Sequence, residues 1–357
     1  MRTPRLSPTI WSALGLALLS PGLLAQTEAA SAPPCAQEAD AARRLACYDR
    51  LFPPAGWTPA APPASDAPAA PTLAAAAPEA PVAPTSPLTT FWELDRASKR
   101  KAFVVRNYLP NFLLPVHVTT AINRAPHSPT RGVAPFQPNY LETEAKMQIS
   151  LRTKVMEDLL LPGADLWFTY TQRSMWQVWN QADSAPFRST DYQPEAVYVL
   201  PIARALGTLP GGWTWRMAQV GFAHQSNGQS EPLSRSWNRL YAGVALDKDD
   251  LALSLKVNRR PREGSRDDNP DLTHYIGNSE LMASWFPGRA TTALTWRFHP
   301  SYLNKGSLQL DWTYPVDSRV PDGLRWHVQL FSGFGETLLD YNHRQTSLGV
   351  GLSLFSF

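Results

Sequence analysis

The chain has 357 residues, a formal net charge of +3 and only 18% charged side chains. That balance, with no block of Lys or Arg, excludes the basic face needed to follow nucleic-acid phosphates. Aromatics are plentiful, with 13 Trp, 11 Tyr and 14 Phe, and the 34 Pro are spread unevenly, so the chain is divided into segments of different kinds.

Residues 1–25 read as a signal peptide. Arg2 and Arg5 give a basic start, 10–24 form an apolar run, and Ala25 is a small residue suited to cleavage. The run is too short for an anchoring helix, and no later stretch holds about 18 consecutive apolar residues. Neither Cys35 nor Cys47 follows the run closely enough to carry a lipid anchor. Export to an oxidising compartment is therefore predicted.

Residues 26–52 form a short helical, cysteine-containing segment. CAQEADAARRLAC (35–47) is rich in helix formers. Twelve helical steps would separate the cysteines by about 18 Å, whereas a disulfide needs Cα atoms within roughly 7 Å. If the two pair, Cys35 must fold back outside the helix. That intramolecular bond is favoured; free thiols or a bond to another chain stay open. Residues 53–88 are almost pure Pro and Ala, too poor in apolar bulk to build a core, and read as a semi-rigid linker.

From residue 89 to the end the pattern is all-β. In DLALSLKVN, Leu251, Leu253, Leu255 and Val257 share one face against Ser254, Lys256 and Asn258. LRWHVQL alternates in the same way, with Leu324, Trp326, Val328 and Leu330 opposite Arg325, His327 and Gln329. Twelve candidate strands start near 111, 140, 165, 194, 214, 235, 250, 273, 289, 306, 324 and 345. Connectors after even strands are mostly short, and those after odd strands are longer and polar. An even strand number with this layout predicts a 12-stranded antiparallel transmembrane β-barrel of the outer membrane rather than a soluble sandwich. At the end of the chain, Phe355 and Phe357 break the parity of Leu348, Val350, Leu352 and Leu354, which a bulge would reconcile.

HQSNG (224–228) opens the loop after the fifth strand. Ala218, Val220 and Phe222 are the outward set of that strand, and His224 and Ser226 continue their parity. On the sixth strand Asn238 shares parity with Leu240, Ala242 and Val244. Three polar side chains thus converge on the lipid-facing rim, a costly place unless they satisfy one another. A histidine can deprotonate a serine while a third group fixes the ring tautomer, and Asn can fill that third role. An H-x-S pair alone is weak evidence; outward parity and the converging Asn238 strengthen it.

HQSNGQSEPLSRSWNRLY (224–241) resembles the active-site segment of bacterial outer membrane phospholipase A. YTQRSMWQ (170–177), SAPFRSTDYQPE (184–195), DDNPDLTHYIG (267–277) and SGFGETLLDYNHRQTSLGVG (332–351) match in register, so the resemblance covers the chain from about 105 onward. The cysteine segment and the linker lie outside it. The resemblance implies a twelve-stranded barrel, calcium (Ca2+) dependence, activation as a homodimer, and hydrolysis of phospholipid acyl esters. It implies Ser226 as nucleophile, His224 as base, Asn238 as orienting group and the Gly228 N–H as oxyanion donor. Calcium ligands map to Ser184, Gln229 and Ser234, and a dimer-interface glutamine maps to Gln172 on a lipid-facing strand. Gln229 stands where arginine is common, and Gln225 where some relatives carry an acidic residue. A main-chain carbonyl ligand would tolerate the first change. Two other readings stay open: a non-catalytic, porin-like barrel and a lipopolysaccharide deacylase.

Overall fold

The computed structural model describes Cys35, Glu38, residues 40–51 and residues 86–354. The signal-peptide run, most of the linker, and Phe355 and Phe357 lie outside the described residues. The chain divides into two units, 1–78 and 79–357. In the first, α1 (Ala41–Leu51) carries Cys47, and Cys35 lies before the helix. The two form a disulfide with Cα atoms 5.5 Å apart. The chain turns back ahead of α1, as the length of a helix over 35–47 requires.

The second unit is a closed barrel. Its twelve strands are β1 (Asn111–Thr119), β2 (Thr143–Met156), β3 (Asp165–Trp176), β4 (Phe187–Pro201), β5 (Thr214–Ser226) and β6 (Ser236–Lys248), followed by β7 (Leu251–Arg259), β8 (Ser279–Trp285), β9 (Thr291–Phe298), β10 (Ser307–Pro315), β11 (Leu324–Phe334) and β12 (Arg344–Leu354). Each pairs antiparallel with the next, and β12 returns to β1, from Ser347↔Thr119 to Leu354↔Asn111. Closure leaves no unpaired edge, the condition for strands to cross a bilayer. Among the described residues no helix is long and apolar enough to cross one.

Burial is inverted relative to a water-soluble domain. Leu113, Ile149, Val220, Phe222, Leu240, Trp326 and Leu348 are exposed, whereas Lys146, Glu144, Arg188 and Glu336 are buried. The period-two alternation places apolar side chains outward and polar ones in the lumen.

Two predicted strands differ. β4 starts at Phe187, not near 194, because its first turns carry polar residues inward: Arg188, Ser189 and Asp191 are buried. The stretch from 273 does not open β8. Leu272–Ile276 is a helical turn ended by Gly277 at φ 85°, a conformation only glycine adopts readily. The connector 202–213, after an even strand, also exceeds the short turns expected there, because it holds the helical turn Arg204–Gly207.

Described packing starts at Ser86, inside the stretch read as linker. Ser86 caps α2 (Pro87–Trp92), with Pro87 at the first turn, where its missing N–H costs nothing. The Ser86 hydroxyl also donates to Asp247 on β6. Leu88 and Trp92 are buried inside the barrel, with Trp92 edge-on to Trp167 and Tyr108 at 5.9 Å. The Arg152 guanidinium lies 3.6 Å from the Phe91 ring centroid. Lys154 contacts Glu93 at 2.8 Å, and Lys99 contacts Asp165 at 2.6 Å. This segment fills the end of the lumen near the start of β3.

At the opposite end, charged pairs knit strands to loops. Arg188 binds Glu144 through two nitrogens, at 2.9 and 3.0 Å, and Asp340 at 2.9 Å. Glu336 accepts from Lys146 at 2.7 Å and lies 2.9 Å from His117 Nε2. Burial opposes its ionisation, yet Lys146 and His117 hold the Glu336 carboxyl well below the usual carboxylate range. Between the two ends lies a cavity of about 240 Å³, lined among others by Arg173, Glu195, Arg239, Lys256 and Arg297.

Candidate functional site

The site forms where β5 and β6 reach the rim opposite the lumenal helix α2. On β5, Met217, Gln219 and Ala223 are buried while Val220 and Phe222 are 53% and 45% exposed. His224 and Ser226 continue the exposed set. On β6, Trp237, Arg239 and Tyr241 point inward, so Asn238 shares the outer face with Leu240 and Ala242. The register pairs His224 with Asn238 and Ser226 with Ser236. Direct cross-strand pairing brings side chains to about 5 Å between Cβ atoms, and here His224 Nδ1 lies 2.9 Å from Asn238 Oδ1.

Asn238 is fixed from its other side. Its backbone N–H and its Nδ2 both donate to Glu263 Oε1, at 3.1 and 3.0 Å. With Nδ2 committed to a carboxylate, Oδ1 faces the ring, so His224 Nδ1 carries the proton and Nε2 is left as the basic nitrogen. Ser226 is two residues further along the same face. Among the described residues no hydrogen bond joins its hydroxyl to the ring.

Gln225, between them, points inward. Its Oε1 accepts from Trp237 Nε1 at 3.0 Å and Arg239 Nη1 at 3.3 Å, so the strand is held from the lumen side while its neighbours face out.

Asn227 closes the loop 227–235. It is buried; its Nδ2 donates to the Leu233 carbonyl at 2.7 Å, and its Oδ1 accepts the Arg235 N–H at 2.9 Å. Gly228 follows with φ 63° and is exposed. A Cβ there would come within 3.2 Å of the Tyr192 ring in addition to the backbone strain, so a side chain is disfavoured where the loop presents its amide.

The predicted cation ligands are only partly brought together. Gln229 and Ser234 share the loop 227–235, and Gln229 Nε2 reaches the Arg188 carbonyl at 3.5 Å. Ser184 is exposed on the loop 177–186, with φ 58°, and shares no hydrogen bond with either among the described residues. Ser234 Oγ donates to Asp268 Oδ2 at 2.7 Å, leaving its lone pairs available beside a carboxylate. Among the described residues no group of three or more His, Cys, Asp or Glu is placed to hold a metal ion. Carbonyl and hydroxyl oxygens with a carboxylate nearby form a hard donor set, which fits calcium and disfavours softer metals. Asp268 is also tied to Arg131, 2.8 Å away, and Arg131 reaches Glu231 at 2.7 Å, joining the loops 120–142, 227–235 and 260–278.

Gln172 is half-buried on the outer face of β3, opposite Ile149 on β2 and Tyr192 on β4. The Tyr170 hydroxyl donates to its Oε1 at 3.1 Å.

Asn227, Glu263 and Asp268 are the site residues that sequence reasoning missed. Asn227 carried a detectable signal, since Asn in a loop commonly bonds nearby backbone. Glu263 and Asp268 come from a distant loop, and no local spacing pointed to them.

The chain has relatives among known proteins. Residues 88–354 match the family model described as phospholipase A1. The phospholipase A1 of Salmonella typhimurium is 37% identical over 218 residues, covering 60% of this chain and 71% of that protein. Outer membrane phospholipase A from Escherichia coli superposes with a TM-score of 0.62 at 31% identity, covering 71% of this chain and 94% of the other. The Salmonella typhi outer membrane phospholipase, solved as a dimer with bound calcium, gives 0.64 at 30% identity, covering 76% and 98%. With a closed twelve-stranded barrel and a polar His–Asn pair on its lipid-facing rim, the chain belongs to the phospholipase A1 family of outer-membrane enzymes.

Proposed function

We propose that the protein is a calcium-dependent phospholipase that hydrolyses the sn-1 and sn-2 acyl esters of phospholipids at the outer-membrane surface, working as a homodimer. The observation that carries this reading is the His224–Asn238 pair, 2.9 Å apart on the lipid-facing side of the rim. Ser226 is the nucleophile, His224 the general base, Asn238 the orienting group and the Gly228 N–H the oxyanion donor.

The chemistry follows from these placements. A phospholipid lies against the barrel with its ester at rim height. Ser226 Oγ attacks the acyl carbon while His224 Nε2 takes the hydroxyl proton. The tetrahedral oxyanion is met by the Gly228 N–H; one such preorganised donor lowers a barrier by about 3 kcal/mol. His224 returns the proton to the departing glycerol oxygen, and the lysophospholipid leaves. The same nitrogen then deprotonates water, which attacks the acyl-Ser226 ester. The fatty acid departs, and the proton returns to Ser226.

Calcium, when bound, supplies positive charge beside the oxyanion. Ser184, Gln229 and Ser234 would hold it, through backbone carbonyls and one serine hydroxyl. The calcium-bound dimer of the Salmonella typhi protein supports both the ion and the assembly. Fatty-acid release from phospholipid micelles tests the function: it is expected with calcium and absent with chelator. Ser234→Ala is expected to raise the calcium concentration for half-maximal rate. Equal release with and without calcium would reject the calcium dependence.

In the dimer, Gln172 would face its counterpart across the interface. Gln172→Ala is expected to weaken self-association in micelles by about threefold to tenfold, the range of intramembrane side-chain hydrogen bonds. Sedimentation in detergent measures it, and an unchanged dimer constant counts against the assignment. In the arrangement we favour, 1–25 are a signal peptide, 26–52 a disulfide-closed segment and the stretch from 53 a linker on the periplasmic side, ending at Ser86, where packing in the barrel begins.

A further inference from the structure

We propose that Glu263 is a positioning residue for catalysis, acting on His224 through Asn238. This inference rests on the His224–Asn238 reading above. Two properties of the site require something that Asn238 alone does not provide.

The first is orientation. The two ends of a carboxamide are nearly the same shape, so an Asn side chain can present either oxygen or NH2 to a neighbour. Only the oxygen suits His224. If Asn238 offered its NH2, the ring would be forced to place its proton on Nε2, and no base would face Ser226. Glu263 removes the ambiguity because an ionised carboxylate only accepts. It takes Asn238 Nδ2 at 3.0 Å, and the flipped amide would set oxygen against oxygen. The Asn238 backbone N–H donates to the same Oε1 at 3.1 Å. β7 ends at Arg259, paired with Leu240, so the ladder stops short of Asn238. The carboxylate stands where the next strand carbonyl would have been.

The second is charge. When Ser226 transfers its proton, the ring becomes an imidazolium, and a carboxylate is the usual stabiliser of that cation. Asn238 is neutral. Glu263 places a negative charge one amide away, in line with the hydrogen bonds Glu263–Asn238–His224, and a chain of this kind polarises along its length. The Glu263 side chain is 17% exposed, so water screens its charge only in part. Arg260 Nη2, 3.6 Å from Glu263 Oε2, is itself bound to Asp267 at 2.6 Å, and Arg260 Nη1 donates to the Asn269 carbonyl at 2.7 Å. The carboxylate is thereby held in place without being drawn away from Asn238. A Glu on an external loop could serve merely to fix that loop, and the experiment must separate the two roles.

The test is a double-mutant cycle on purified protein, with dioleoylphosphatidylcholine in mixed micelles and saturating calcium. Glu263→Ala is expected to lower kcat about tenfold, the scale of one hydrogen bond to a charged group, with KM within about twofold. Glu263→Gln, which removes the charge and keeps the side-chain length, is expected to lower kcat in the same direction. If the Ala variant does not fold, the Gln variant decides by the same criterion. In the Asn238→Ala background, Glu263→Ala should cost nothing further, because its route to the ring is already cut. A kcat within twofold of wild type for the single variants, or a full additional loss in the Asn238→Ala background, overturns the proposal. Ser226→Ala run in parallel keeps the outcomes distinct: an active Ser226→Ala protein would reject the catalytic reading itself, whereas inactive Ser226→Ala beside a fully active Glu263→Ala rejects only the role of Glu263.

Discussion

Ser226→Ala is expected to lower phospholipid turnover by a factor on the order of a million, while the barrel stays folded. Serine hydrolases of the Ser-His type lose about that much when the nucleophile is removed, because the covalent route closes and only binding and oxyanion stabilisation remain. Ser226 sits at the last position of β5, half-buried on the outer face, and its cross-strand partner Ser236 is small. Truncation to Ala therefore removes one oxygen without disturbing a core. The rate is read as fatty acid released per barrel, with circular dichroism confirming an unchanged β-signal. His224→Ala should fall nearly as far, and combining the two should cost little more, since the pair acts as a unit.

Arg188→Ala is expected to destabilise the barrel by about 3–5 kcal/mol, the range for breaking a buried ion pair by deleting one partner. The Arg188 side chain is 0% exposed, as are those of Glu144 and Asp340, to which it is bound. Its loss leaves two carboxylates buried with their main cation gone. Asn123 Nδ2 and Thr337 Oγ1 still donate to Asp340, but neither carries charge. The three acid–base partners tie β2 and β4 to the loop 335–343, so the rim that carries the site should loosen as well. Arg188→Lys should rescue only partly, because an ammonium cannot reproduce the forked contact to Glu144. Urea unfolding in lipid vesicles measures the change. A loss under about 1 kcal/mol, the scale of an exposed pair, would show that the network adds little.

What the sequence made legible was whatever repeats every two residues. The alternation of β5 and β6 places His224, Ser226 and Asn238 on one face. It succeeded because a barrel wall in lipid imposes apolar side chains on every outward position. Reading failed where that demand is absent. Arg188, Ser189 and Asp191 are lumenal and polar, so the first third of β4 looked like loop. α2 begins in a Pro/Ala-rich stretch, and its burial depends on Tyr108 and on Trp167, which lies far along the chain. The Arg188–Glu144–Asp340 cluster and the Glu263–Asn238 contact join residues from different loops and strands; single-sequence periodicity carries no information about such meetings. Asn227 shows the opposite case: its bonds are local, to Leu233 and Arg235, and lay within reach of loop chemistry. For Cys35 and Cys47, helix length told only what a pairing would require, a turn back ahead of the helix, and not that the two pair.

The most direct test of the proposed reaction is mass analysis of lipids after the purified protein is incubated with calcium and bilayers holding both phospholipid and lipopolysaccharide. Lysophospholipid and free fatty acid should both accumulate with wild type, in equal amounts while only one acyl chain per lipid has been removed. Neither should appear with Ser226→Ala, and the lipopolysaccharide should keep all its acyl chains. Intact phospholipid beside deacylated lipopolysaccharide, or lysophospholipid formed equally by Ser226→Ala, would contradict it.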